Sequence, residues 1–186
     1  MVLKLKQKLL DDKGLFKLLD KMAAEIVKEG LDFKNCIFIG ILKNGAPFAE
    51  YLSKKVGELT SSQLPVAYVD ITLYRDDLID SQFDPYLRKT EVPFAITNKE
   101  VILVDDVLFT GRTVRAALAS ILVLGRPRLI RLAVAVDRGH KELPIHSDFT
   151  GMTCKTTLNQ GIRVRVNNPE QEDGVYLYED DATTSK

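Results

Sequence analysis

The sequence is poor in the residue types that build metal centres and disulfide frameworks. Its 186 residues include only two histidines and two cysteines, and Cys36 and Cys154 lie far apart with no C-x-x-C pair. This pattern excludes a zinc site and a disulfide scaffold, and it favours reduced, buried thiols.

An excess of charge is also missing, because 26 Lys and Arg balance 26 Asp and Glu. A broadly basic nucleic-acid-binding protein is therefore excluded, whereas a local basic patch is still compatible with the sequence.

Long apolar runs are absent as well. No stretch approaches the roughly 20 apolar residues that a membrane-spanning helix needs. The N-terminal segment, 1–10, alternates apolar residues with lysines and lacks the apolar core and small-residue cleavage site of a signal peptide. We therefore expect a cytoplasmic protein without a membrane partner.

Short apolar runs alternate with helical patterns along most of the chain. Runs typical of buried strands occupy 36–39, 66–73, 101–104 and 129–136, and amphipathic helical patterns occupy 15–26, 46–56 and 114–122. This alternation predicts an α/β fold with a mainly parallel sheet that is flanked by helices and binds ligands at the carboxyl ends of its strands. Further short β-like pieces, at 149–153, 162–166 and 175–178, predict a small antiparallel hood.

We expect one domain over 1–186, with a length and 45% hydrophobic residues that suit a sizeable core. The core is expected over about 14–137, the hood over about 138–178 together with the N-terminal segment, and a polar tail over 179–186. A long segment within the core, 75–98, has charges, two prolines and no sustained period. A loop of this length in a compact domain is typical of a flexible flap over a site.

The stretch 101–113 combines an apolar strand, two carboxylates and a helix start. Because buried unpaired charges are costly, we expect Asp105 and Asp106 to face solvent, cations or ligand hydroxyls. The residues 110–113, Thr-Gly-Arg-Thr, then open a helix, where free backbone N–H groups, hydroxyls and the helix dipole attract an anion. Carboxylates that accept from a diol beside an anion cradle suit a ribose 5-phosphate. The alternative is that the two aspartates only cap the helix.

An apolar strand followed by Asp-Asp and Thr-Gly resembles the type I phosphoribosyltransferases. Two further segments, 70–78 and 136–145, resemble the PyrR family, which combines uracil phosphoribosyltransferase activity with attenuation of the pyr operon. The resemblance implies the type I phosphoribosyltransferase fold, the donor 5-phosphoribosyl 1-pyrophosphate (PRPP) and a nucleobase acceptor. It also implies Mg²⁺, bound mainly through PRPP with no protein ligand assigned, and a homodimer or larger homo-oligomer.

The resemblance also implies roles for individual residues around the donor. Asp105 and Asp106 would bind the ribose hydroxyls and favour a positively charged ribose in the transition state. The 5-phosphate would be held by the residues that follow them: Val107, Leu108, Phe109, Thr110, Gly111, Arg112 and Thr113.

Three other segments complete the implied site. Lys43, Asn44 and Gly45 would form the pyrophosphate loop, in which Gly45 would let the backbone approach the ligand closely. Arg75 and Arg88 would reach the pyrophosphate from the flexible loop. The base hood would include Asp137, Arg138 and Ile162.

The sequence departs from the usual PyrR pattern at three places. Lys43-Asn44-Gly45 replaces Thr-Arg-Gly and is closer to the Leu-Lys-Gly-Gly loop of hypoxanthine phosphoribosyltransferases, and Asn is not equivalent to an Arg fork. His146 replaces an arginine, and 151–157 differs from the usual segment.

Three functions are therefore compatible with the sequence. The leading one is Mg²⁺-dependent synthesis of UMP from uracil and PRPP, with UMP-sensitive binding of a pyr leader RNA as a second activity. The others are an RNA-binding nucleotide sensor with little catalysis and a purine phosphoribosyltransferase. For RNA, the resemblance points to phosphate contacts by basic residues: Arg126, Arg128, Arg131 and Lys141.

Overall fold

The computed structural model describes residues 3–71, 92–167 and 172–180. The elements in chain order are β1 (Leu3–Leu10), α1 (Asp12–Lys28), β2 (Cys36–Ile41), α2 (Gly45–Thr60), β3 (Val66–Val69), β4 (Glu100–Leu108), α3 (Arg112–Leu124), β5 (Leu129–Asp137), β6 (Phe149–Thr153), β7 (Gln160–Arg165) and β8 (Gly174–Asp180). Five strands form a parallel sheet in the order β3-β2-β4-β5-β6, and three form an antiparallel sheet in the order β1-β8-β7. The α/β fold expected from the sequence is confirmed.

The first helix shows how local sequence sets an element. Asp11 stands before α1 and accepts a hydrogen bond from the Gly14 amide at 2.8 Å, so it satisfies one free donor of the first turn. One stripe of the helix is buried at helical spacing: Leu15, Leu19, Met22, Ala23 and Ile26. This stripe packs on α2 and on β6, which fixes α1 against one face of the sheet.

The central strands carry apolar residues on both faces because helices cover both sides of the sheet. All six residues of β2 are buried. Phe38 belongs to the cluster that contains α1, α2 and the hood, whereas its neighbours Ile37 and Ile39 belong to the cluster that contains α3. The alternation of side chains along one strand thus connects two cores, as expected for a buried parallel strand.

The segment 149–153, expected in the hood, belongs to the parallel sheet instead. It forms β6, which pairs in parallel with β5 in a register that places Ala133 opposite Phe149. Gly151 explains the placement: a Cβ there would lie 2.2 Å from Leu18 Cδ2 and 2.6 Å from the Ala135 carbonyl oxygen. Glycine thus lets α1 pack directly on this strand, and the hood consists of β1, β7 and β8.

The described end of the expected flexible loop is packed rather than free. Ile96 is buried in the α3-side core, and Val92 and Phe94 pack against the same cluster. Arg75 and Arg88 lie outside the described residues. Among the helices that the structure describes, none is long and apolar enough to cross a membrane.

Candidate active site

A cavity of about 380 Å³ lies at the carboxyl edge of the parallel sheet. The loop after β2, the end of β4 and the start of α3 meet there, because parallel strands present their carboxyl ends at one edge. Its lining consists of Ile41, Leu42, Lys43, Asn44, Ile71, Asp105, Asp106, Val107 and Thr113. The structure therefore brings together six of the residues expected at the site, from segments that are sixty residues apart in sequence.

The two aspartates line the cavity but are more buried than expected. The strand β4 does not end before them and continues to Leu108, so both lie inside the sheet, with Asp105 5% and Asp106 9% exposed. Their burial is possible because hydrogen bonds replace water. Asp105 Oδ1 accepts from the Asp106 amide at 3.0 Å, and Asp106 Oδ1 accepts from the Val107 amide at 2.9 Å.

Burial perturbs the titration of both carboxyl groups. It raises the pKa of Asp105 well above its ordinary value, and the adjacent Asp106 charge raises it further. Burial also raises the pKa of Asp106, although hydrogen bonds, including one from Asn44, act in the opposite direction. Two adjacent carboxylates with raised pKa values in a cavity form a site prepared for hydroxyl donors or a cation.

The loop between β2 and α2 contacts the acidic pair directly. The peptide bond between Leu42 and Lys43 is cis, and Asn44 Nδ2 donates to Asp106 Oδ2 at 3.1 Å. Gly45 has a packing role in this loop, and its expected approach to the ligand stays a prediction. A Cβ at this position would lie 2.4 Å from the Val104 carbonyl oxygen, so only glycine lets α2 start this close to β4.

The segment 107–113 passes from β4 into α3 through a tight turn. Gly111 has a φ of 90° at the start of the helix, a conformation that favours glycine. Thr110 Oγ1 accepts from the Arg112 amide at 3.3 Å, and the Thr110 carbonyl accepts from the amides of Glu142 and Leu143. Of this segment, Val107 and Thr113 line the cavity, whereas Leu108 is buried in the core.

The Phe109 side chain links this segment to the hood. The Arg138 guanidinium lies over the Phe109 ring at 3.9 Å from its centre, and the His140 ring meets it edge-on at 5.9 Å. Arg138 is 8% exposed and donates to Thr156 Oγ1 at 3.1 Å and to the Gln160 carbonyl. Burial lowers the pKa of Arg138, and these contacts join β5, the turn after β4 and the loop before β7.

The other residues expected in the base hood lie outside the cavity lining. Asp137 accepts from the Gly139 amide at 2.9 Å and from Lys141 Nζ at 2.6 Å, which fixes the turn after β5. Ile162 lies in β7, with its side chain in the core cluster. Among the described residues, no group of three or more His, Cys, Asp or Glu is arranged to hold a metal ion.

Sequence reasoning missed the contacts that hold the site together. The bond from Asn44 to Asp106 depends on tertiary structure, and no sequence pattern predicts it. Ile71 lines the cavity two residues after β3 ends, where the sequence indicates only a strand. The contact between Arg138 and Phe109 did have a signal in the sequence. Arg138 directly follows β5 at the sheet edge where Phe109 also lies, and an arginine close to an aromatic ring favours a cation–π contact.

A family model and the sequences of known relatives agree on the family to which this chain is similar. The family model for the phosphoribosyl transferase domain matches residues 6–170. Proteins named bifunctional protein PyrR from Pelotomaculum thermopropionicum and Thermus aquaticus are 44% and 42% identical to this chain over 174 and 177 residues. These alignments cover 94% and 95% of the chain and 96% and 98% of the relatives.

Solved structures with the same fold include purine phosphoribosyltransferases. A hypoxanthine-guanine phosphoribosyltransferase from Bacillus anthracis has a TM-score of 0.71 and 15% identity, with 95% of this chain and 99% of that chain covered. A hypoxanthine-guanine-xanthine phosphoribosyltransferase has a TM-score of 0.67 and 19% identity, with 97% and 98% covered. At such low identity these likenesses show the fold alone.

Proposed function

This chain belongs to the phosphoribosyltransferase family, and we propose that it transfers the phosphoribosyl group of PRPP to uracil, giving UMP and pyrophosphate. The observation that carries the proposal is the cavity at the carboxyl edge, where Asp105, Asp106, Lys43 and Thr113 come together. Carboxylates suit a ribose diol, and a cation and a helix start suit phosphate groups. One cavity therefore offers partners for each part of the donor.

The residues would act by positioning and by charge. Asp105 and Asp106 accept hydrogen bonds from the ribose hydroxyls, and their negative field stabilises the positive charge that develops on the ribose as the bond to pyrophosphate breaks. The backbone over 107–113 holds the 5-phosphate, and Lys43 attracts the pyrophosphate. When bound through PRPP, Mg²⁺ would supply positive charge to the leaving pyrophosphate. Catalysis then needs no covalent intermediate on the protein.

Uracil is favoured over a purine as the acceptor. The two relatives named PyrR that are described above align with 94% and 95% of this chain at 44% and 42% identity, and the segments 70–78 and 136–145 resemble the same family. The cue for a purine is confined to the loop at Leu42 and Lys43. The purine enzymes among the solved structures share the fold but at most 20% identity in the cases compared, so they carry no argument about the base.

The test is a panel of bases with PRPP and Mg²⁺, in which nucleotide and pyrophosphate are measured together. We expect UMP from uracil, and no nucleotide from hypoxanthine, guanine, xanthine or orotate. The double variant Asp105→Asn with Asp106→Asn should stay folded and lose most turnover, because neutral amides cannot stabilise the charged ribose. Unchanged turnover in this variant would contradict the location of the site.

We propose UMP-sensitive binding of a pyr leader RNA as a second activity, on the strength of the relatives' name, bifunctional protein PyrR. The four basic residues considered for it do not form one patch. Arg126 and Arg128 precede β5 and Lys141 follows it, and a nine-residue strand separates its ends by about 30 Å. Three of the four are in ion pairs: Arg128 with Glu100, Arg131 with Glu29 and Asp148, and Lys141 with Asp137.

A binding assay with labelled leader RNA, with and without UMP and over a range of salt, tests this activity. We expect UMP to change the affinity and salt to weaken it. Binding that is equal for an unrelated RNA of the same length would contradict the proposal. Arg126→Ala and Lys141→Ala should be compared, because the two residues report on opposite ends of β5.

A homodimer or larger assembly stays a prediction, which sedimentation of the purified protein would test.

A further inference from the structure

Asn44 stands at the N-cap of α2, yet its side chain does not cap the helix. Asparagine is preferred at this position because its side-chain oxygen accepts from the first amides of a helix. Within the described part of the chain, Asn44 makes no such bond, and its Nδ2 donates to Asp106 Oδ2 at 3.1 Å instead. A local interaction that would stabilise the helix start is thus replaced by one that reaches across to β4.

The surroundings fix both partners of this bond. Because Gly45 packs directly against the Val104 carbonyl, the loop is held close enough to β4 for the Asn44 amide to reach the carboxylate. Asp106 Oδ1 accepts from the Val107 amide at 2.9 Å, so both of its oxygens accept from described residues. Two bonds at different oxygens set the direction in which the carboxylate faces the cavity.

We propose that Asn44 is a positioning residue that orients the Asp106 carboxylate toward the ribose of PRPP and ties the pyrophosphate loop to the acidic pair. The inference rests on the proposed function, since it takes the ribose hydroxyls as the partners of Asp106. In this role Asn44 acts through Asp106 and not by direct contact with pyrophosphate. This role also gives a reason for the side-chain amide of Asn44 at a position where PyrR proteins usually have a charged arginine.

The other charged groups near Asp106 belong to the cavity itself or to the neighbouring elements. Asp105 and Lys43 line the same cavity, and a hydrogen bond with the Asp105 side chain lowers the pKa of Asp106, as the Asn44 bond does. Charged residues on the neighbouring elements have partners of their own: Asp137 with Lys141, Arg112 with Glu142, and Glu50 with Tyr68. Since donation by Asn44 favours the charged carboxylate, its removal should raise the pKa of Asp106 further.

Asn44→Ser is the sharpest test, because serine is a good N-cap residue but is too short to reach Asp106. The helix start keeps a residue that is able to cap it, while the bond to the carboxylate is lost. Asn44→Asp is the companion variant, with the same shape but a like charge against Asp106. Asn35→Ser is the matched control, since Asn35 Nδ2 makes the same kind of bond to Asp32 at 2.8 Å on the surface, away from the cavity.

We expect Asn44→Ser to melt near the wild-type temperature and to lose about tenfold or more in kcat/KM for PRPP, as for a hydrogen bond to a charged group. Its KM for uracil should stay unchanged, and the acid limb of its pH profile for kcat/KM with PRPP should move to higher pH. Asn44→Asp should lose more, and Asn35→Ser should behave as wild type. A helix-stabilising role alone would leave the pH limb in place.

The inference is overturned if Asn44→Ser keeps the wild-type kcat/KM and pH profile, or if Asn35→Ser loses as much. Should the wild-type protein form no nucleotide with any base, the proposed function fails by itself. Calorimetric binding of PRPP with Mg²⁺ then decides the inference without turnover. Weaker binding by Asn44→Ser than by wild type and Asn35→Ser supports it, and equal binding overturns it.

Discussion

Replacing Asp105 with asparagine should stabilise the fold and weaken catalysis at the same time. The carboxyl is 5% exposed and lies beside a second buried carboxyl, and both burial and Asp106 raise its pKa. Asparagine has the same shape, carries no charge and can still accept from the Asp106 amide, which lies 3.0 Å from Oδ1. The substitution therefore removes the electrostatic cost and keeps the hydrogen bond.

The sign and size of the effect follow from linkage. A carboxyl whose pKa is raised on folding costs nothing below its ordinary pKa of 3.8, and the cost grows as pH rises through the raised value. At neutral pH, Asp105→Asn should gain about 1 to 3 kcal/mol, the usual cost of a poorly compensated buried polar group. For a chain of this length, each kcal/mol corresponds to about 2 to 4 °C in melting temperature.

Thermal unfolding followed by circular dichroism at neutral and at strongly acidic pH measures this effect. The gain should be present at neutral pH and absent in acid, while kcat/KM for PRPP falls. Asp32→Asn is the matched control, because hydrogen bonding to Asn35 lowers the pKa of Asp32 and the substitution there should not stabilise. A variant no more stable than wild type at neutral pH, or equally stabilised at both pH values, would refute the reasoning.

Other substitutions test the packing around the cavity. Gly45→Ala should destabilise the fold by about 1 to 3 kcal/mol, because its Cβ would meet the Val104 carbonyl at 2.4 Å; Gly161→Ala, with nothing within 4 Å, is the control in the same melting assay. Phe109→Leu should remove about 1 kcal/mol of stacking between the Phe109 ring and Arg138. Because Arg138 is expected beside the base, the KM for the base should rise about fivefold in steady-state kinetics, and an unchanged KM would show that this stacking does not support base binding.

Much of the fold could be predicted because the informative patterns are local. Apolar runs of four or more residues marked β2, β4 and β5, and helical spacing marked α1, α2 and α3. The partner of a short strand is not a local property, which is why the sequence predicts Phe149–Thr153 in the hood although the segment pairs with β5 in the parallel sheet. Leu122 fits the helical pattern of α3 yet is 58% exposed. Periodicity predicts which residues share one face of a helix, but it does not predict which element packs on that face.

The residues of the site could be named from the Asp-Asp and Thr-Gly motif, but their environment could not. The rule that unpaired buried charges are avoided predicts aspartates that face solvent, cations or ligand hydroxyls. Asp105 and Asp106 do line the cavity, but they are also buried and hydrogen-bonded inside β4. Their donors come from adjacent amides and from Asn44, some sixty residues earlier. The packing of Gly45 against Val104 is likewise visible only once β4 and α2 lie together.

The central claim is most directly tested by incubating the purified protein with PRPP, Mg²⁺ and uracil and following UMP and pyrophosphate together. Formation of both in equal amounts, with no nucleotide from hypoxanthine, guanine, xanthine or orotate, is the predicted result. A purine nucleotide would contradict the assignment of uracil and move the weight to the loop at Leu42 and Lys43. No nucleotide from any base would contradict the catalytic account itself.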